Sequence, residues 1–307
     1  MLNLLKKGVK TPEKIRPFLR YKKQKGLSRY YAIRYGTIAK WLHPPYNKPI
    51  SNYSLFTDQD IYVFTDDPGI SRDIAAMGIR EPFTTRAYIE ELSSISKVVD
   101  ELNILEFGAN IGYYALIGAE YLEDGKMIAV EVDPDNTYLL RKNISKNNLN
   151  DVIEVEEVAV GPEEGEKMVF ESDRSNRHTL EEIGEDESVG KYKTKVTTPK
   201  MLLEKHGISD DEVNVIRMDM EGYETEILPE LKDILNSTGP LLVNIELHPK
   251  GVGSARIKEA VEILERSGLE IVSTARFSPA ENREIDVDSF EDLKEYSFIE
   301  VVAKKGY

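Results

Sequence analysis

From residue 101 onward, short apolar runs alternate with stretches of helical periodicity. Ile104-Leu105 is a brief apolar run that ends in an acid and a small-residue turn. Met127 to Val132, Val152 to Val160, Val213 to Met220 and Leu241 to His248 read as further strands. Between them Tyr113 to Tyr121, Pro134 to Asn148, Tyr223 to Leu235 and Ser254 to Ser267 repeat apolar residues every three or four positions, which predicts helices. Leu269 to Arg276 and Tyr296 to Ala303 read as a closing pair of strands. Strands that are apolar on both faces belong to parallel sheets covered by helices. The pattern therefore predicts an α/β fold, a doubly wound, mostly parallel seven-stranded sheet with right-handed crossovers. One interruption breaks the rhythm. Glu166 to Glu171 and Lys191 to Thr197 suggest a hairpin, with the polar stretch Ser172 to Gly190 between them and a short helix, Met201 to His206, behind.

The first hundred residues follow a different pattern. Thr11-Pro12 is a helix start, Pro17 a bend and Gly26 a stop. Ser28 is placed to cap a second helix, with Tyr30, Ile33, Thr37, Ile38 and Trp41 on one face, and the stretch His43 to Pro49 is a linker. Asn52 to Thr65 alternates as strands do, Asp66-Asp67-Pro68-Gly69 is a turn, and Ile70 to Leu92 is helical with a break at Arg80-Glu81-Pro82. The expected organisation is an N-terminal helical arm over 1–48, a segment over 49–100 that packs on the core, and the main domain over 101–307.

Charge separates the arm from the rest. The net charge is −15, yet residues 1–48 hold thirteen Lys/Arg against one acid, Glu13, leaving 27 basic and 54 acidic residues elsewhere. An acidic body argues against a broad nucleic-acid surface on the main domain, whereas the basic arm suits phosphates, anionic lipid or the body itself. Three roles stay open for the arm: packing on the body or on a second subunit, peripheral membrane contact through basic residues interleaved with Tyr and Trp, and nucleic-acid binding. The chain has no cysteine, so thiolate catalysis and thiolate zinc sites are excluded, and its four histidines show no metal-ligand spacing. No run of about eighteen apolar residues occurs, and the apolar stretch at the start is too short for a secretory signal. A cytoplasmic protein is expected, with the arm at the cytoplasmic membrane face if it meets lipid.

The chemistry-bearing residues gather at strand ends. Glu106, Gly108, Asn110 and Gly112 form E-F-G-A-N-I-G, where glycine lets backbone approach a ligand and Asn110 tolerates left-handed dihedrals. The dinucleotide spacing G-x-G-x-x-G is not met, and the carboxylate of Glu106 would repel a pyrophosphate and attract a cation. Glu131, nineteen residues after Gly112, sits where a carboxylate can accept both ribose hydroxyls of an adenosine. Asp133 is placed to cap the helix that opens at Pro134. Glu157 and Val158 are placed for an adenine edge and face. I-R-M-D-M-E-G-Y-E brings Asp219 and Glu221 to a strand end, with Glu221 doubling as a helix cap. Asn244, Glu246 and His248 alternate onto one side of the next strand, which makes His248 a candidate general base. On the long loop, Arg174, Asn176, Arg177 and His178 form a cationic group suited to an anionic acceptor.

In order and at these separations, E-F-G-A-N-I-G-Y-Y-A-L, E-V-D-P, V-A-V-G, I-R-M-D-M-E-G-Y-E and N-I-E-L-H-P resemble the FkbM-type methyltransferases, a branch of the class I, Rossmann-like S-adenosylmethionine-dependent methyltransferases. The upstream G-I-R-E-P-F-T-T resembles the segment before the first core strand in that family. The resemblance spans about Phe56 to Ala303 and leaves the basic arm outside. It implies S-adenosyl-L-methionine as cofactor, S-adenosyl-L-homocysteine as product, and transfer of a methyl group to an oxygen of a sugar or glycan, on a hydroxyl or a carboxylate. Within it, His248 or Asp219 serves as base, Glu221 and Glu246 orient the acceptor or the base, and Asp219 also borders the cofactor. A divalent metal on Asp219, Glu221 and Glu246 is the less favoured arrangement. A glycan carried on a membrane lipid would join the cationic loop to the basic arm. Two other classes compete: an RNA methyltransferase that grips phosphates with the arm, and a non-catalytic protein that binds the cofactor without turnover.

Overall fold

The computed structural model describes residues 59–64, 67, 70, 71, 74, 80–171, 190–277, 284–286 and 298–307. The predicted arm, residues 52–58 and 65 of the strands expected over Asn52 to Thr65, and the group Arg174, Asn176, Arg177 and His178 lie outside these residues.

Ile104–Phe107 forms β1, and all four of its residues are buried. Leu105 and Phe107 pack on one core cluster and Ile104 on the other, which is what an apolar run without alternation predicts. Each such side chain contributes on the order of 2 kcal/mol when fully buried. β1 pairs in parallel with β2 (Met127–Glu131), which pairs in parallel with β3 (Ile153–Glu157). The chain then leaves this side of the sheet. β4 (Ala159–Val160), β5 (Gly165–Glu171) and β6 (Gly190–Thr197) make a separate three-stranded sheet in the order β4-β6-β5. The expected strand Val152 to Val160 is thus two strands in two sheets, and the expected hairpin gains a third, parallel member.

β7 (Val215–Met218) returns to the other side of β1, followed by β8 (Leu241–Leu247). The direction of winding therefore reverses between β1 and β7, and in open α/β sheets ligands bind outside the carboxyl ends of the strands at that point. β9 (Glu270–Phe277), β10 (Glu284–Asp286) and β11 (Phe298–Lys305) complete the sheet in the order β10-β9-β11-β8-β7-β1-β2-β3. β11 is antiparallel to both neighbours. Seven strands form the doubly wound, mostly parallel sheet that the pattern predicts, and the short β10 adds an eighth at the edge.

The helices follow their sequence signals closely except in one place. α1 (Pro82–Ile95) starts at the predicted proline, α2 (Tyr113–Ala119) follows the glycine turn, and α3 (Pro134–Lys146) is capped by Asp133, whose side chain accepts from Asn136 N. α4 (Pro199–His206) begins two residues before the expected start, because Pro199 fits the first turn and Thr198 Oγ1 accepts from Met201 N. The long helix expected over Tyr223 to Leu235 is instead α5 (Glu224–Ile227), a 3₁₀ turn over Leu228–Leu231 and α6 (Lys232–Leu235). Pro229 has no N–H to donate and clashes with the preceding turn, which breaks the run. A short α7 (Pro249–Val252) precedes α8 (Ser254–Arg266). Among the described residues, no helix is long and apolar enough to cross a membrane.

Candidate active site at the carboxyl ends of the parallel strands

At the reversal point a cleft opens, bordered by Phe107, Gly108 and Asn110 after β1, by Val130 and Glu131 of β2, and by Asp219 to Glu221 after β7. Its first wall is a loop built from left-handed residues. Gly108, Asn110 and Gly112 have φ of +81°, +51° and +92°. Gly108 N and Ala109 N both donate to Val130 O at 2.9 Å, turning the chain over the end of β2. A Cβ on Gly108 would stand 1.8 Å from the backbone oxygen of Asp219. A Cβ on Gly112 would stand 2.7 Å from Leu140 Cδ1. Gly108 is therefore required by the backbone packed against it, whereas at Gly112 the left-handed φ is the main bar to a side chain. Gly108 also borders the cleft, whereas Gly112 opens α2 behind it.

Glu131 ties this loop to the next. Its Oε2 accepts from Asn110 N at 2.7 Å and its Oε1 from Asp133 N at 2.8 Å. A carboxylate has about four lone-pair positions, and with a further hydrogen bond from the Val132 backbone one acceptor direction remains for a hydroxyl in the cleft. Burial pushes its pKa up to about 7 against the pull of the Asp133 N–H. Val158 borders the same end, and Tyr192 Oη of the small sheet donates to Val132 O at 3.0 Å. Tyr223 borders the cleft from the β7 side, and Lys167 of β5 reaches its hydroxyl.

The opposite wall is carboxylate-rich. Asp219 N donates to Phe107 O at 3.0 Å, so the residue is fixed to the tip of β1. Burial and the charge of Glu246 push its carboxyl up to about 6, against the pull of Arg217. Glu221 stands in the left-handed region with φ of +51°.

The sequence profile of the Methyltransferase FkbM domain matches residues 106–270, a span that begins at Glu106 and takes in the strand ends that border this cleft. The chain belongs to the FkbM methyltransferase family. Its cofactor is accordingly S-adenosylmethionine, and the residues present fit it. Val130 and Val158 border the cleft with apolar side chains, Glu131 keeps an acceptor direction for a hydroxyl, and Asp219 and Glu221 are acids suited to a cationic group. No curated protein matches the chain. Solved structures similar to it include a precorrin-6y C5,15-methyltransferase from Geobacter metallireducens GS-15. That match has 14% identity and TM-score 0.39, covering 72% of this chain and 88% of the other. An O-methyltransferase from Bacillus cereus in complex with SAH is 14% identical with TM-score 0.41, covering 74% and 82%.

Several predicted site residues of the FkbM domain occupy other positions than expected. Glu106 does not face the cleft. It is 1% exposed, lies 3.6 Å from Arg217, and burial pushes its carboxyl up to about 8. Glu157 points away as well, paired with Arg141 at 2.8 Å in the open. The residue that holds the turn before α5 is not Glu221 but Glu224, which accepts from Met220 N at 2.7 Å and Gly222 N at 3.1 Å. A carboxylate at that position satisfies amides at a helix start.

His248 does not border the cleft, and its surroundings do not suit a base. Its Nδ1 lies 3.1 Å from Glu224, and its Nε2 lies 3.2 Å from Glu246 and 3.6 Å from Glu221. Burial alone would lower its pKa, but Glu224 and Glu221, with hydrogen bonds to Glu224 and Glu246, outweigh it and hold it well above the ordinary histidine range. An imidazolium locked between carboxylates has no capacity to take a proton. Among the described residues, Asp219, Glu224 and His248 are close enough to share a cation, with ligand atoms within 4.8 Å of one another, a different set from the expected Asp219, Glu221 and Glu246.

Four residues escaped the sequence reading. Arg217, 2% exposed, stacks 3.6 Å over the Tyr114 ring and lies 3.6 Å from both Glu106 and Asp219. Glu300 of β11, equally buried, accepts from Asn244 Nδ2 at 2.7 Å. Glu224 was visible only as one acid among three. Arg80 appeared merely as part of G-I-R-E-P, yet it borders the cleft. Arginine inside an apolar strand was the available signal for Arg217, since burying it demands carboxylate partners.

Proposed function

We propose that the chain methylates an oxygen of a sugar or glycan, most directly a hydroxyl, with Asp219 as general base. The observation that carries this reading is the placement of Asp219: bordering the cleft, pinned to β1, and with a carboxyl pushed to about 6 by burial and by Glu246. A base with a pKa just below the working pH is ionised yet still able to accept the proton that a hydroxyl gives up on attack. S-adenosylmethionine supplies, when bound, a methyl group already activated for transfer. The remaining work falls to positioning in a site that excludes water. Arg217, stacked on Tyr114 and 3.6 Å away, keeps the ionised form of Asp219 tolerable in its buried setting. Glu224 and the charged His248 hold the Met220–Tyr223 turn against the end of β8.

The glycan part of the reading is supported by the loop cations Arg174, Arg177 and His178, which suit an anionic acceptor such as a uronic acid or a phosphorylated sugar. The basic arm supports a lipid-linked form, for which deletion of 1–48 is expected to abolish binding to anionic vesicles; vesicle binding that survives the deletion rejects it. The central test is Asp219→Asn, assayed by methyl transfer to acidic glycans alongside S-adenosylhomocysteine titration. A hydroxyl acceptor predicts that turnover at saturating cofactor falls by 10²–10⁴-fold, the titration separating this loss from any weakening of the cofactor. Retained turnover on a carboxylate acceptor, which needs no base, rejects the hydroxyl assignment, and transfer to amines only rejects oxygen methylation.

A further inference from the structure

The cleft has an unbalanced set of charges. Among the described residues that border it, Glu131, Asp219 and Glu221 are acidic and Arg80 is the one cation. S-adenosylmethionine carries a sulfonium, an ammonium and a carboxylate. The acids suit its two cationic groups, and its carboxylate needs a cationic partner. We propose that Arg80 anchors the carboxylate at the amino-acid end of the cofactor, an assignment that rests on the S-adenosylmethionine reading of the cleft.

The position of Arg80 selects this end of the ligand. The cleft runs from Glu131 and Val158, beyond β2 and β3, to Asp219 and Glu221, beyond β7. Arg80 pairs with Glu81, whose carboxylate accepts from Tyr114 Oη, and the Tyr114 ring carries Arg217, which lies 3.6 Å from Asp219. This chain of contacts ties Arg80 to the Asp219 side of the cleft, where it also helps hold the Asp219 and Glu246 carboxyls down.

Arg80 is also held as a binding residue needs to be. It is 8% exposed, its backbone N donates to Tyr113 Oη at 3.2 Å, and its carbonyl accepts from Thr85 Oγ1 at 2.6 Å. Tyr113 and Tyr114 open α2 immediately after the glycine loop, so Arg80 and that loop share one support. Its guanidinium pairs with Glu81 at 2.6 Å. Glu81 sits in the left-handed region, φ +45° and ψ +67°, and its carboxylate accepts from Tyr114 Oη at 3.2 Å. A non-glycine residue in that region is strained, and such strain persists where surrounding contacts enforce it, commonly beside functional groups. A guanidinium has five N–H donors in a rigid fork, so pairing with Glu81 is compatible with a second carboxylate. Burial pushes the Glu81 carboxyl up to about 8 despite Arg80 beside it, so near neutral pH the arginine charge is not fully cancelled by its neighbour.

The test compares two ligands that differ only in the carboxylate, S-adenosylmethionine and decarboxylated S-adenosylmethionine, by calorimetric titration of the full chain. Arg80→Gln is expected to weaken S-adenosylmethionine by about 10–100-fold, the range for losing a charge-assisted hydrogen bond, and to change the decarboxylated ligand by less than threefold. Arg80→Lys, which keeps the charge without the fork, should fall between, and it carries the same comparison if Arg80→Gln does not fold. Equal weakening of both ligands assigns Arg80 a purely structural role and overturns the proposal, as does unchanged affinity for both. A wild-type protein that binds neither ligand overturns the cofactor reading itself, and the proposal with it.

Discussion

Substituting Gly108 by alanine isolates the close approach that shapes the cleft. Two costs combine at this position. A residue with a Cβ in the left-handed region costs about 1–2 kcal/mol, and Gly108 has φ of +81°. The added Cβ would also lie 1.8 Å from the Asp219 backbone oxygen, where ordinary contact begins near 3.4 Å, so the two segments must part by about 1.6 Å. Forcing extra atoms into a packed site costs about 1–3 kcal/mol. The separation also strains the Asp219 N to Phe107 O hydrogen bond. The total, about 2–5 kcal/mol, is a large share of the 5–15 kcal/mol that usually stabilises a domain. Gly207→Ala provides the reference, because Gly207 has φ of +64° and nothing within 4 Å of the added atom. It should lose only the conformational part. Urea denaturation of both variants, with S-adenosylhomocysteine titration at a temperature where both are folded, measures the difference. Gly108→Ala is expected to be the less stable by at least 1 kcal/mol and to lose cofactor affinity, since Asp219 is displaced. Equal stability losses, or normal cofactor binding by Gly108→Ala, would refute the reasoning.

Arg217→Met should destabilise the protein by about 3–5 kcal/mol, since it strands buried carboxylates, with a larger loss at pH 8 than at pH 5. Asp219 and Glu106, at about 6 and about 8, ionise across that interval, and a loss independent of pH would contradict the pairing. For the wild type without ligand, Glu106, Glu131 and Glu81 have folded pKa values of about 8, 7 and 8 against an ordinary 4.5. Their raised values favour the protonated folded state, so this stabilisation is present in full below about pH 4.5 and is lost as pH rises to about 8. The slope is at most about 1.4 kcal/mol per pH unit for each group. The denaturation midpoint should therefore fall between pH 5.5 and 8.5, and a rising midpoint would be inconsistent with carboxyls held neutral by burial.

The sequence alone determined the sheet and the strand ends at which chemistry would occur. Apolar runs such as Ile104-Leu105 and Val215-Ile216 could only be strands covered on both faces, and helical periodicity between them left little choice but a doubly wound sheet. Pro134 and Asp133 marked a helix start because capping is local. Position within the buried interior was a different matter, because it depends on partners far apart in the chain. Nothing near Glu106 in sequence indicates that Arg217 lies 3.6 Å away and draws it out of the cleft. His248 looked like a base until Glu221 of the turn after β7, Glu224 of α5 and Glu246 of β8 closed around it. Arg80 became visible only when α1 packed beside α2 and placed it at the cleft. The apolar pattern is set by neighbours along the chain, whereas the charge state and direction of a buried side chain are set by whatever folding brings against it.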